Sequence, residues 1–201
     1  MELHKGIQAL PMRDVVAWRQ WLQQYHRTEK ALWLIIYRKE SGIDSIYYPE
    51  ALDEALCYGW IDSLVNKRDE QSYYQYFSQR KPKSRWSLVN KEKVARLEAE
   101  GSMTEAGREM VALARRTGTW DALNEVDAVQ EPADLADALN AQPVARSCWN
   151  AFSRSTRRGI LEWILSAQRE DTRRKRISET VRLAAINEKA NQFPKRPASG
   201  Q

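Results

Sequence analysis

The sequence predicts an α+β fold: a small antiparallel sheet with helices in the N-terminal part, then an all-helical C-terminal half. Three observations predict it. "ALWLIIYRK" is a continuous apolar run of strand length and composition. "IDSLVNK" and "SYYQYFSQR" are strand-like and separated by the polar "RDEQ", which reads as a hairpin. After Arg80, every periodic segment is helical.

Taken in order, "PMRDVVAWRQWLQQYH" places Val15, Trp18, Trp21 (or Leu22) and Tyr25 at helical spacing, with Pro11 suited to a first turn. The apolar run that follows reads as the central strand. Ser41-Gly42 is a turn signal, and "IDSIYY" reads as a short paired strand. Pro49 opens a helix with Glu50 and Asp53 in its first turn, where acidic groups offset the dipole. Its inward stripe is Leu52, Ala55, Leu56 and Gly59. In the second hairpin strand Tyr73, Gln75 and Phe77 share one face, and Tyr74 and Tyr76 the other.

Ser87 caps "LVNKEKVARLEAE", which stops at Gly101, and Thr104 caps "EAGREMVALARRT", which stops at Gly118. An acidic loop leads to Pro132 and "ADLADALN"; Pro143 begins the next helix; Ser153 or Ser155 caps "TRRGILEWILSA"; a last helix starts near Glu170. The expected layout is an α+β part over 1–80, a helical region over 81–190 and a disordered tail over 191–201.

Composition removes several functions. The two cysteines, Cys57 and Cys148, are far apart and without partners at metal-ligand spacing, so neither a disulfide framework nor a zinc motif is written. Only two histidines exist, His4 near a start expected to be mobile and His26 at a helix end. A centre built on histidine as base or metal ligand would have to use one of these. No motif names a cofactor, and none is expected. No apolar run reaches the roughly 20 residues of a membrane span and no signal peptide is visible, which predicts a cytoplasmic protein. A net charge of +5 allows anionic partners but is modest for a dedicated nucleic-acid binder.

"EALCYGWIDS", followed by "SRWSLVNKEKVARLEAEGSMTEAG", resembles the YdeI/OmpD-associated, or bacteriocin-protection, family. "RSTRRGILEWILSAQREDTRRKRISETVRLA" is similar to the C-terminal helical region that defines that family. The resemblance implies a cytosolic bacterial protein linked by name to tolerance of bacteriocins or other antimicrobial stress. It carries over no catalytic residue. Where the family commonly has Thr-Pro-Arg, this chain has Ser78-Gln79-Arg80, which predicts a looser turn presenting Arg80.

Three groups of residues are candidates for chemistry. Trp60 and Asp62 lie where a helix gives way to a strand, and Arg80, Lys81, Lys83, Ser84 and Arg85 feed a helix start at Ser87. Free N–H groups there, with hydroxyls and guanidinium groups nearby, suit a phosphate or carboxylate. Trp86 would add a stacking surface. Against this, both tryptophans suit a core and Ser87 suits a plain cap.

Arg154, Arg157 and Arg158 form one basic face of the last two helices, and Arg169, Arg173 and Arg176 another. Glu170–Arg174, Asp171–Lys175 and Arg158–Glu162 offer local balance at a spacing of four. The second face could instead meet an anion, a partner or the acidic loop around Asp121, Glu125 and Asp127. Cys57 reads as a packed core thiol. Asp53, Glu54 and Asp62 are close in sequence, but nothing pairs them.

The leading reading is therefore a binding module for an anionic small ligand or partner at the 80–87 loop. The alternatives are an enzyme without metal or histidine using a carboxylate near Asp62, and a weak nucleic-acid binder working through the C-terminal arginines. The tryptophan-rich first helix also offers half of a homodimer contact.

Overall fold

Two consecutive left-handed residues, Lys5 (φ 52°) and Gly6 (φ 77°), fold the start of the chain into a hairpin of β1 (Glu2–His4) and β2 (Ile7–Pro11). Positive φ at both positions is what a two-residue hairpin turn needs. The expected mobile start is thus an ordered sheet edge. The computed structural model describes residues 2–191; positions 192–201, most of the expected tail, lie outside the described residues. By their contacts the residues divide into two units, one up to Ala122 and one from Leu123.

In the first unit, α1 (Val15–Tyr25) begins at Asp14, whose carboxylate accepts the Ala17 N–H at 2.8 Å. Pro11, expected in the first turn of this helix, instead ends β2, where its missing N–H costs the ladder little. β3 (Ala31–Tyr37) is the apolar run and stands in the middle of a five-stranded sheet. The short strand expected over "IDSIYY" does not form. There the Ser45 hydroxyl accepts the Tyr37 N–H and the Ile46 N–H donates to Met12, so these groups are bonded outside any ladder. α2 (Tyr48–Cys57) carries Pro49 in its first turn, and β4 (Trp60–Lys67) and β5 (Ser72–Gln79) form the expected hairpin. α3 (Leu88–Ala99) and α4 (Glu105–Arg116) belong to this unit as well.

Strand order is β1-β2-β3-β5-β4. The β2–β3 pair is parallel, because α1 crosses over between them; the other neighbours are antiparallel, so the sheet is mixed. Between Asp62 and Val65 the β4 register shifts, and the buried Gln75 amide donates to the freed Leu64 carbonyl.

The sheet is strongly curled. A flat sheet would hold β1 and β4 four spacings of roughly 4.8 Å apart. Yet His4 Nε2 lies 2.9 Å from the Asn66 amide, and the Glu2 carboxylate takes two hydrogen bonds from Arg68 at 2.9 and 3.0 Å. His4 also stacks on Tyr74 and meets Trp33 edge-on, filling one face with Ala9, Trp33, Ile35 and Tyr74. The opposite face carries the main core of Trp18, Leu22, Leu34, Leu56, Phe77 and Trp86.

Gly107 lets α4 close on the end of α2. A Cβ there would sit 2.4 Å from the Cys57 carbonyl. That carbonyl also accepts the Thr104 hydroxyl at 2.6 Å and its N–H at 3.2 Å. Thr104, expected to cap its own helix, therefore turns its side chain to the end of α2.

The second unit holds α5 (Asn124–Asp127), α6 (Ala133–Asn140), α7 (Pro143–Ala151), α8 (Arg154–Leu165) and α9 (Glu170–Ala184). Its core gathers Leu135, Leu139, Trp149, Ile160, Ile164 and Val181. Glu131 ties the loop before α6 to α7, accepting the Trp149 indole N–H and an Arg146 nitrogen, each at 2.7 Å.

Candidate functional site

Arg80 follows the last residue of β5, and its N–H is pinned to the Gly59 carbonyl at 2.9 Å. Gln79 anchors the approach: its amide donates to the carbonyls of His26 and Glu29 at 2.8 and 2.9 Å, and its own N–H donates to Lys30. A proline here would lack that last bond. The turn before Arg80 is thus held at Gln79, where a looser turn was expected.

The Arg80 side chain turns inward and is only 4% exposed. Its guanidinium carbon lies 3.6 Å from the centre of the Trp86 ring, and Nη2 donates to the Arg85 carbonyl at 2.6 Å. Nε and Nη1 are buried without a hydrogen-bond partner, as is Nη1 of Arg85. Burial pushes the Arg80 pKa down to about 10, against an opposing pull from Asp62, which lies outside ion-pair contact. A desolvated cation with unmet donors and no contacting counter-ion is the least satisfied polar group of this unit.

The other expected residues fall into place around it unevenly. Lys81 and Lys83 are exposed on the turn, which closes through Ser84 N–H to the Lys81 carbonyl at 2.9 Å. Trp86 is 1% exposed, with Arg80 on its ring and Trp120 tilted against it at 5.1 Å. It is a covered ring rather than the open stacking surface expected. Ser87 caps α3 through a long 3.4 Å bond from Asn90. Trp60 is a core ring whose N–H goes to the His26 carbonyl. Asp62 is half-buried and accepts the Tyr48 hydroxyl at 3.0 Å. Burial first, and Asp62 second, push the Tyr48 pKa up to about 12, so this hydroxyl stays a donor. Sequence reasoning missed Tyr48, whose only signal was its place in the first turn of the Pro49 helix.

The remaining carboxylates are separated. Asp53 binds Lys93 and Arg96, while Glu54 binds Arg19 at 2.8 Å. Burial raises the Glu54 pKa, opposed by Arg19. Cys57 is buried, and desolvation pushes its thiol up to about 11. Among the described residues no cluster could hold a metal ion. The Trp18 and Trp21 rings of α1 stack within the core of their own unit.

In the second unit the basic faces are largely used internally. Arg173 grips Asp134 with two bonds of 2.7 and 2.8 Å, and Arg176 covers the Trp163 ring while donating to Trp163 and Ser166. Arg158 joins Asp127 to Glu162, and Arg154 binds the Asp127 carbonyl. Arg174 pairs with Asp171, three residues back, instead of Glu170. Arg157 is half-buried with its Nε unmet, and Arg169 precedes α9 as an exposed residue.

No helix among the described residues is long and apolar enough to cross a membrane. No curated protein and no solved structure matches the chain. Residues 10–110 match the family model described as a domain of unknown function (DUF8412). Residues 128–187 match the model described as bacteriocin-protection, YdeI or OmpD-associated. The "GWIDS" and "SRWS" segments fall in the first match and the "RSTRRGILEW" segment in the second. With half its length in the first match, the chain belongs to the DUF8412 family.

Proposed function

We propose that the first unit is a binding module for an anionic small ligand or partner at the 80–87 turn. The observation that carries this reading is Arg80: a nearly buried cation whose Nε and Nη1 are unmet. Leaving such a charge buried and unpaired costs several kcal/mol. Its contact with Trp86, desolvated on both sides, offsets about 2 kcal/mol or somewhat more of this and leaves Nε and Nη1 unmet. An anion seated on Arg80 would satisfy its two unmet nitrogens at once. Because those nitrogens are covered, the ligand enters by displacing the 81–85 turn, where Lys81 and Lys83 provide the first attraction. The covered Trp86 ring favours a phosphate- or carboxylate-type anion over a ligand recognised by base stacking. A role in bacteriocin protection rests on the description of the model that residues 128–187 match; stress tolerance and a cytoplasmic location rest on the sequence reading alone.

Thermal unfolding in phosphate, pyrophosphate, acetate and citrate at constant ionic strength tests the reading. A ligand that binds only the folded chain must raise Tm. The expected result is a rise with a specific anion that falls in Lys81→Ala with Lys83→Ala and disappears in Arg80→Met. An unchanged rise in Arg80→Met overturns the assignment.

Catalysis through Asp62 has weaker support, since one of its oxygens is taken by Tyr48 and no second carboxylate stands with it. Nucleic-acid binding through the C-terminal arginines is weaker still, with Arg173 and Arg176 bonded internally.

A further inference from the structure

A groove of about 700 Å³ runs along α9 in the second unit, with α6 and the residue that leads into α7 as its other side. Ala138, Ile177, Val181 and Ala185 form its apolar floor. Small side chains keep it open: Ala138, Ser178 and Ala185 stand where larger residues would close two packed helices. The volume falls within the roughly 300–1,000 Å³ of small-molecule sites.

Its charges are unequal in what they have left to offer. Asp134 is held by both bonds of Arg173, and Arg174 by Asp171. Glu170 and Arg182 stand at opposite ends, about 18 Å apart along the helix axis. Arg182 is exposed and makes no ion pair or side-chain hydrogen bond among the described residues. The Gln142 amide lines the groove too and is likewise uncommitted. One end therefore presents a cation and an amide donor, the middle is aliphatic, and the far end carries Glu170.

From this arrangement we propose that the groove binds an amphiphilic carboxylate. Its head pairs with Arg182 and Gln142, and its aliphatic chain lies over Val181 and Ile177 towards Ala138. From Arg182 to Ile177 the apolar stretch runs about 8 Å along the helix axis, which takes the head-proximal half of a medium-length chain. A free fatty acid is the simplest ligand of this class. A cationic amphiphile of equal length would meet Arg182 with its own charge and is excluded from the same pose. The inference is independent of the Arg80 reading.

Titration calorimetry of the full chain with laurate below its micelle concentration tests it, with dodecylamine as the matched cation. Laurate is expected to bind with its head on Arg182, whereas any dodecylamine that binds would lie in the reverse direction, with its head at Glu170, and would not be weakened by Arg182→Glu. Arg182→Glu should weaken laurate by about tenfold or more, the size of a lost charge-assisted hydrogen bond. Ser178→Phe, at an exposed position, should block the floor and abolish binding. Unfolding curves verify that both variants fold, with Arg182→Gln and Ser178→Leu as substitutes if either does not. Absence of laurate binding, or laurate binding unchanged in both folded variants, would overturn the proposal.

Discussion

Arg80 lies 3.6 Å from the centre of the Trp86 ring, and the two residues bury each other at the end of the sheet. The pair joins the hairpin to the start of α3 without a contacting counter-ion for the guanidinium. Replacing an unpaired buried charge by an apolar side chain of similar length removes a desolvation cost. Arg80→Met is therefore expected to be neutral or stabilising, by up to about 4 kcal/mol. Urea unfolding measures it. A loss of several kcal/mol would mean that Arg80 is a structural cation well served by its present contacts.

Gly107 and Gly159 should respond in opposite ways to alanine. At Gly107 the new Cβ meets the Cys57 carbonyl at 2.4 Å, so the α2–α4 contact must shift. The expected cost is about 1–3 kcal/mol. Gly159 lies inside α8 with nothing within 4 Å of an added Cβ. There alanine should stabilise by roughly 0.5–1 kcal/mol through helix propensity. Chemical denaturation of the two variants against the parent checks both signs.

Acid should loosen the curl of the sheet. Hydrogen bonds from Arg68, and then Tyr74, hold the Glu2 carboxyl below its usual pKa. A group depressed in the folded state contributes stability fully above its unfolded pKa and loses it as pH falls through the folded value. The loss therefore lies below the ordinary glutamate range of about 4.3. Glu2 is partly exposed, so the effect is screened and small. Urea midpoints measured from pH 7 to pH 3 should fall less steeply in Glu2→Gln than in the parent. Parallel curves would contradict the assignment.

Thiol labelling should separate the cysteines. Cys57 is fully buried with its pKa pushed up to about 11, while Cys148 is only half-buried. Only the thiolate reacts. At pH 8, Cys57 should stay unmodified until denaturant unfolds the first unit. Modification of Cys57 in the native chain, located by mass spectrometry, would contradict the burial.

Much of this architecture was legible because it depends on local rules. The apolar run became β3, "RDEQ" became the β4–β5 turn, and Ser87 and Ser153 became caps. What escaped depends on distant partners. His4 reads as a tail residue until Asn66 and Tyr74, more than 60 positions away, hold it in place. β1 has only three residues, too few for a periodic signal, although Lys5-Gly6 was a turn signal in plain view. "IDSIYY" had strand composition, yet its polar groups were claimed elsewhere. In the candidate site, the basic turn and its tryptophan could be read, but whether Arg80 points out or in could not. That choice is made by Trp86 and the core behind it. The same holds for Arg173 and Arg176, which read as a charged face until Asp134 and Trp163 take them up.

The central claim is that the unmet nitrogens of Arg80 serve an anion. Nuclear magnetic resonance of the arginine side-chain N–H groups tests it most directly, with the Arg80 signal assigned by its absence in Arg80→Met. The account predicts that phosphate or another anion of the panel shifts the Arg80 Nε–H signal in a saturable way. Sodium chloride at equal ionic strength should leave it in place. A signal unmoved by every anion, or moved equally by chloride, would contradict the account and leave Arg80 as a packing residue.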